Sequence, residues 1–306
     1  MPSIANITTS TVLTTIMEGR VMQGFSAEKF MPSTLVNKRF GKIYSAGQES
    51  LRQTSDQMKS GVMSNRVDWD YSSSTYTTEK RGLHASLDAD LLDNADQPIN
   101  LRADATNLLS GIILLGHEVR AATMAGNTTV ITQTAAATAA WDAASGQDPR
   151  LDIDTGKEAI RTATGRYPTH MITPPACRNA LVAYLLSQAQ VTYGELSQVV
   201  DLPATVQGLI PIVPMVVKDT ANLGQDASLS EVYDATKVTL CIVDSPSTLY
   251  SGAFLNVRRT KIGPSGFRVR QWYDEATESE FVECQVEEDE LTIGATSAYI
   301  ITTVTT

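Results

Sequence analysis

Three histidines, His84, His117 and His170, are the first residues to weigh for acid–base or metal chemistry, and no two of them share an HxxxH or HExxH spacing. His117 lies beside Glu118 in a helical stretch, a setting that suits a packed or surface histidine better than a general base. The cysteines, Cys177, Cys241 and Cys284, are odd in number and far apart, which argues against a disulfide framework or a CxxC metal pair and fits a reducing cytoplasm. No GxGxxG, GxxxxGK[ST] or GxSxG segment occurs, so neither a phosphate cradle nor a nucleophile elbow is expected. Asp88, Asp90, Asp93, Asn94 and Asp96 carry oxygen ligands of the kind calcium takes, but they lack the glycine and terminal Glu of an EF-hand and read as a solvated turn. Glu287, Glu288, Asp289 and Glu290 read as an exposed turn between strands, not as paired catalytic carboxylates. Arg258, Arg259 and Lys261 are too few for a nucleic-acid groove and suit salt bridges between subunits. The expectation is no catalytic residue, no cofactor and no metal.

The elements that would position any such group follow from composition and periodicity. A chain of 306 residues with 42% apolar and 19% charged residues can bury a large core, and its length suggests about two domains. A net charge of -10 argues against a protein that coats nucleic acid by neutralising phosphates. The first 20 residues lack a basic region followed by an apolar segment, so no secretory signal is expected. The apolar run at residues 112–115 is far below the roughly 20 residues of a bilayer span, and no membrane partner is expected.

Residues 1–40 are rich in Ser, Thr and Met without a sustained period, as in a frayed terminus or an extended arm whose Ile4, Ile7, Val12, Leu13 and Ile16 find their partner surface on another subunit. A short strand at 41–44 is followed by a polar excursion over 45–66. Period-2 alternation through Val67, Trp69, Tyr71, Tyr76 and Thr78 then completes a long hairpin. Such a hairpin buries little of itself and needs a neighbour to lie on. Asn100 as N-cap and Gly126-Asn127 as stop bound the longest helix. Leu101, Ala105, Leu108, Leu109, Ile112, Ile113, Val119 and Ala122 give this helix one apolar face over ~37 Å. A Thr/Ala stretch at 128–140 predicts a strand running into a loop. A second helix begins at Asp148-Pro149 and ends before Gly165, with Ile153, Gly156, Ile160 and Ala163 facing the core. A strand at 169–173, a third helix from Pro174-Pro175 and central strands at 209–218 and 238–243 follow. Pro211 and Pro214 make the first of those two an edge or bulged strand. From 252 the period becomes 2, predicting a C-terminal antiparallel sheet.

Three stretches carry a family likeness beyond these elements. LRADATNLLSGIILLGHEVRAATM at 101–124, WDAASGQDPRLDIDTGKEAIRTATGRYP at 141–168 with its continuation THMITPPACRNAL to 181, and GFRVRQWYDEATESEFVECQVEEDELTIGATSAYIITTV at 266–304 resemble the major capsid proteins of tailed bacteriophages. That resemblance implies the α+β HK97-like fold. Its parts would be an N-terminal arm at 1–40, an E-loop hairpin at 41–86, a P-domain at 87–167 with its spine helix at about 100–126, an A-domain at 168–250, and C-terminal P-domain strands at 251–306. It implies self-assembly through hexamers and pentamers into an icosahedral shell around double-stranded DNA, in the virion after assembly in the bacterial host cytoplasm. Scaffolding, portal and decoration proteins would be partners, and the packaged DNA a non-specific one. No large helical extension precedes the arm, which suggests a separate scaffold. Some members of the family join neighbours by a Lys–Asn isopeptide bond, for which Lys59 and Asn256 are the positions this chain offers. The alternatives are an encapsulin-type nanocompartment with the same fold and a cytoplasmic α/β enzyme with a site around 170–245.

Overall fold

A computed structural model describes residues 8–18, 25–45, 53, 55–58, 60, 63–66, 72–88, 90, 100–193, 202–219, 229–245, 249–261, 263 and 265–306. In chain order the elements are β1 (Thr8–Thr9), α1 (Thr11–Glu18), α2 (Ala27–Phe30), β2 (Ser33–Val36), β3 (Phe40–Ser45), β4 (Ser72–Thr77), β5 (Glu79–Asp88) and α3 (Leu101–Ala125). Next come β6 (Thr134–Ala136), α4 (Pro149–Thr164), β7 (His170–Ile172), α5 (Pro175–Tyr193), β8 (Ile210–Ile212), β9 (Val217–Asp219), β10 (Leu229–Glu231) and β11 (Val238–Cys241). The chain closes with β12 (Leu249–Tyr250), β13 (Phe254–Arg259), β14 (Phe267–Asp274), β15 (Ser279–Thr292) and β16 (Ala298–Thr302).

The helices begin and end where local chemistry dictates. Asn100 Oδ1 accepts the Ala103 N–H at 3.2 Å and opens α3, whose last turn is closed by the Gly126 N–H on Ala122 O. Asp148 Oδ1 does the same for Leu151 at 3.1 Å, Pro149 occupies the first turn of α4, and Gly165 ends it at φ +75°, where a side chain would be strained.

Two sheets carry the body. In the first, of order β1-β14-β15-β13-β2, β15 is the organising strand: residues 279–286 bond β14 on one edge and β5 on the other, while Glu288–Thr292 bond Phe254–Arg258 of β13. The second has the order β6-β16-β11-β7-β8. Helices α1 and α3 cover the first sheet, burying Leu13, Met17, Leu109 and Ile113 with Val269, Val282 and Val286. Helices α4 and α5 cover the second, burying Ile153, Ile160 and Leu181 with Leu240, Tyr299 and Trp141. A smaller sheet, β12-β3-β4, projects beside them.

Several expectations are corrected. The last strand does not stay in the C-terminal antiparallel sheet: β16 pairs with β11 and, in parallel, with β6 in the second sheet. The predicted strand at 209–218 splits into β8 and β9, and Pro211 sits on the edge strand β8, where a missing N–H costs no ladder bond. The arm's apolar residues are not all left for another subunit. Leu13 and Met17 are buried in the chain's own core and β1 extends its own sheet, whereas Val12 is 69% exposed. Ile4 and Ile7, like the strand expected through Val67, Trp69 and Tyr71, lie outside the described residues.

Candidate functional site

Strand β15 carries two of the buried charged residues, Glu287 and Glu288, more than any other element among the described residues. Period-2 alternation sends Glu288 and Glu290 to the face under α3 and Glu287 and Asp289 to the opposite face. Contrary to the predicted exposed turn, Glu287 is 5% and Glu288 1% exposed, mid-strand in a ladder. On the α3 side, Arg120 bonds both carboxylates, with Nε donating to Glu290 Oε1 at 2.8 Å and Nη2 to Glu288 Oε1. His117 Nδ1 lies 2.9 Å from Glu290 Oε1, which requires the proton on that nitrogen. Arg258 Nε reaches Glu288 Oε2 at 3.4 Å, and its Nη2 donates to Glu28 of α2 at 3.0 Å. Burial pushes the Glu290 carboxyl up, but the bonds from His117 and Arg120 outweigh it and hold the group at about 2.

Beside His117 on the helix, the buried Glu118 carboxyl is satisfied by neutral donors. Ser26 N–H and Oγ–H donate to its Oε1 at 3.0 and 2.8 Å, Tyr233 O–H at 2.7 Å, and Ala27 N–H to its Oε2 at 2.9 Å. This carboxylate joins the segment after α1, the long helix and the loop between β10 and β11. Burial beside it raises the Tyr233 hydroxyl far above the usual phenol range.

The opposite face of β15 holds the root of the projecting hairpin. Asp289 Oδ2 accepts the Thr77 N–H at 2.7 Å, and Glu287 Oε1 accepts from Thr78 Oγ1 at 3.0 Å and Arg259 Nη1 at 2.8 Å. Arg258 and Arg259, expected to bridge subunits, are therefore spent on Glu28, Glu287 and Glu288 of the same chain.

The predicted stripe of the long helix splits: Ala105, Leu109, Ile113 and Ala122 are buried, but Leu108 and Ile112 turn outward and polar residues take their place inside. Its buried side includes Thr106, Ser110, His117, Glu118 and Ala121, whereas Leu108 is 63% and Ile112 48% exposed. Leu108, Ile112, Leu115 and Val119, spaced 4, 3 and 4 residues apart, form an outward apolar row on one side of a helix. By length and composition Leu101–Ala125 would suffice to cross a membrane, which a four-residue apolar run did not suggest. Its buried Glu118 and His117 are bonded to other elements, as in a core helix. Phe40 at 74%, Met58 at 65% and Met63 at 94% exposure add apolar surface on and beyond the hairpin.

The structure does not bring the three histidines together. His84 lies on β5 with its ring 5.9 Å from Phe281, and His170, its pKa lowered by burial, bonds Thr169 Oγ1. His117, Glu288 and Glu290 have donor atoms within 4.8 Å of one another and could in principle ligate a cation, a grouping that spacing alone could not reveal. Arg120 and Arg258 already supply the positive charge there, so the donor set is that of an ion-pair network. The cysteines are free and buried, and burial pushes each thiol up to about 12. Lys59 and residues 91–99 of the acidic turn lie outside the described residues. Asn256 is 1% exposed between β15 and β2, with Nδ2 3.5 Å from Glu288 Oε2, so an incoming lysine would have to open the sheet.

No protein-family model matches the chain. A phage-related protein from Bordetella bronchiseptica RB50 superposes over 97% of both chains at a TM-score of 0.75 and 20% identity. The capsid of the cyanophage P-SCSP1u superposes over 93% of this chain and 90% of its own, at 0.60 and 9% identity. The fold is that of HK97-like capsid proteins. An encapsulin from Synechococcus elongatus PCC 7942 has it too, matching 97% of this chain and 96% of its own at 0.53 and 10% identity. In sequence, the major capsid protein of Burkholderia phage BcepMu is 29% identical over 182 residues, 56% of this chain. The chain spans 57% of the length of that curated relative.

Proposed function

We propose that the chain is the major capsid protein of a tailed phage, copies of which close into an icosahedral shell around double-stranded DNA. The observation that carries this is agreement over nearly the whole chain with shell-forming subunits, together with a sequence relative named as a phage major capsid protein. The mechanism is geometric. The two sheets and α3 form a rigid tile, residues 168–250 act as the A-domain that converges on five- and six-fold axes, and 87–167 with 251–306 act as the P-domain. The hairpin at 41–86 and the part of the arm at 1–40 that is not packed on the chain's own sheet overlap adjacent tiles. Exposed Leu108, Ile112 and Phe40 gain burial in the assembled shell, at roughly 25 cal/mol per Å². Repetition of the same contacts in hexamers and pentamers gives closure. A separate scaffold, a portal and decoration proteins complete the particle, which assembles in the host cytoplasm and performs no catalysis.

Negative-stain microscopy of the expressed chain, alone and with a co-expressed scaffold, tests this reading. Closed particles, tubes or hexamers are expected, and persistent monomers under both conditions refute it. The second reading, an encapsulin-type compartment, is favoured by the superposition on such a shell. Particles containing a cargo enzyme and no DNA would establish it.

A further inference from the structure

Strand β5 is bonded along one edge. Its residues 79–88 pair with 288–279 of β15, and among the described residues no other backbone group bonds to them. Gly82, Leu83 and His84, in the middle of the strand, are exposed, as an open edge leaves them. Ten residues at about 3.3 Å each make this edge about 33 Å long, and neither a proline nor a bulge interrupts it. An edge of that kind is a row of unpaired N–H and C=O groups, a template for another strand.

The sequence of the edge complements itself. Antiparallel pairing brings residues with outward N–H groups opposite one another, so two copies of β5 can meet only in registers centred on a residue. Centring on His84 sets Lys80 opposite Asp88 of the second copy, and Asp88 opposite its Lys80. Leu83 then faces Ala85 on the α3 side of the sheet. Moving the centre to Leu83 or to Ala85 makes no ion pair, and centring on Arg81 sets two like charges against each other at the axis. Both partners are available in the single subunit. Lys80 and Asp88 are exposed; among the described residues Lys80 has no acceptor, and Asp88 Oδ1 accepts the Asp90 N–H at 3.2 Å, leaving its other oxygen for a lysine.

We propose that β5 is a homotypic contact: the open edges of two copies pair antiparallel about a two-fold axis at His84, joining two β15-centred sheets into one. Backbone bonds and burial of Leu83, 38% exposed in the single subunit, hold the pair. The exposed ion pairs add little energy and select the register. One strand edge is a small contact beside the roughly 1,200–2,000 Å² of stable complexes, so it fills at high concentration or where many copies are held together. The pairing is a property of the subunit; that it joins neighbouring tiles rests on the proposed capsid function.

Oxidative cross-linking of the full-length, unassembled subunit at high concentration tests this contact. His84→Cys places two thiols opposite each other, at the Cα spacing of about 4.5–5.5 Å that a disulfide accepts. Ser86→Cys puts a thiol on the same face but about 13 Å along the strand from its counterpart, too far to bridge. The chain's own cysteines are buried. His84→Cys is expected to form disulfide-linked dimers about 10-fold faster than Ser86→Cys, or more. Adding Lys80→Asp should slow that dimerisation about 10-fold, and adding Asp88→Lys as well should restore it, since the swap remakes both ion pairs reversed. Equal rates for the two cysteines, no dimer from His84→Cys, or a charge swap that fails to restore the rate overturns the proposal. A wild-type subunit that forms no particles, beside a His84→Cys subunit that dimerises as expected, would instead refute the capsid reading and leave this contact standing.

Discussion

Replacing Glu118 by Ala removes the one acceptor group that serves four donors at the junction of three segments. One of those donors can be re-satisfied, because Ser26 Oγ and Tyr233 O–H already lie 3.3 Å apart and one hydroxyl can donate to the other. The second hydroxyl and the Ser26 and Ala27 N–H groups have no such alternative, the two N–H groups being directed at the carboxylate at 2.9 to 3.2 Å. Each orphaned buried donor costs about 1–3 kcal/mol, so the substitution is expected to destabilise the subunit by about 6 kcal/mol. Unfolding entropy of about 2.1 cal/mol/K per residue converts this, over the 306-residue chain, to a Tm lower by roughly 9 °C. Calorimetry of the unassembled subunit measures it. Glu118→Gln keeps one acceptor but turns an amide N–H₂ towards the remaining donors, so it should fall between wild type and Glu118→Ala. A Glu118→Ala subunit melting within about 1 °C of wild type would show that this carboxylate does not hold the junction, and the account of α3 as an inward-polar helix would lose its main support.

Acid should act through Glu290. Its folded pKa of about 2 lies below that of an unfolded carboxylate, so its stabilisation is fully present above an ordinary Glu pKa of about 4.3 and fades as pH falls through about 2. Glu290→Gln is expected to flatten the Tm–pH curve across that window and is wrong if the curve keeps its slope. Gly156→Ala would drive a Cβ to 2.7 Å from Leu240 Cδ1 and 2.8 Å from Tyr299 Cδ1, so α4 must lift from the second sheet at about 1–3 kcal/mol, measurable by chemical denaturation. Replacing Leu108 and Ile112 together by Glu should leave the Tm of the unassembled subunit within about 1 °C, in keeping with small surface effects, and reduce particle yield in microscopy. A large drop in subunit Tm would put those side chains in the core.

What the sequence disclosed was chemistry complete within a few residues. The Asp148-Pro149 start and the Gly165 stop of α4 need no distant partner, and the Asn100 cap of α3 is equally local. The facing of α3 was not local. Apolar residues surround much of the helix, so Leu108, Leu109, Ile112 and Ile113 alone cannot say which flank turns inward. The choice is made by Glu118 and His117, whose partners Ser26, Tyr233 and Glu290 lie 92 to 173 residues away. The acidic run at 287–290 misled for the same reason: four carboxylates in a row look solvated until Arg120, Arg258 and Arg259 arrive from other elements. One signal was present, since Val282, Cys284 and Val286 set a period-2 register that continues into Glu288 and Glu290 and places them against the same helix.

That placement explains why polar groups share the buried face of α3 with Leu109 and Ile113 while Leu108 and Ile112 stay outside. A helix held to a sheet by Leu and Val alone can slide, because one apolar contact replaces another at little cost. Sliding α3 by one turn, ~5.4 Å, would pull Glu118 from Ser26 and Ala27 and Arg120 from Glu288 and Glu290, leaving buried charges unpaired at several kcal/mol each. Register is thereby fixed by hydrogen bonds that exist in only one alignment. The apolar row at Leu108 and Ile112 is not needed to hold the subunit together, and it remains outside as surface whose burial requires another molecule. In the proposed shell a subunit gains from this division, since bonded polar groups resist shear within each copy and apolar area is left for the contacts between copies.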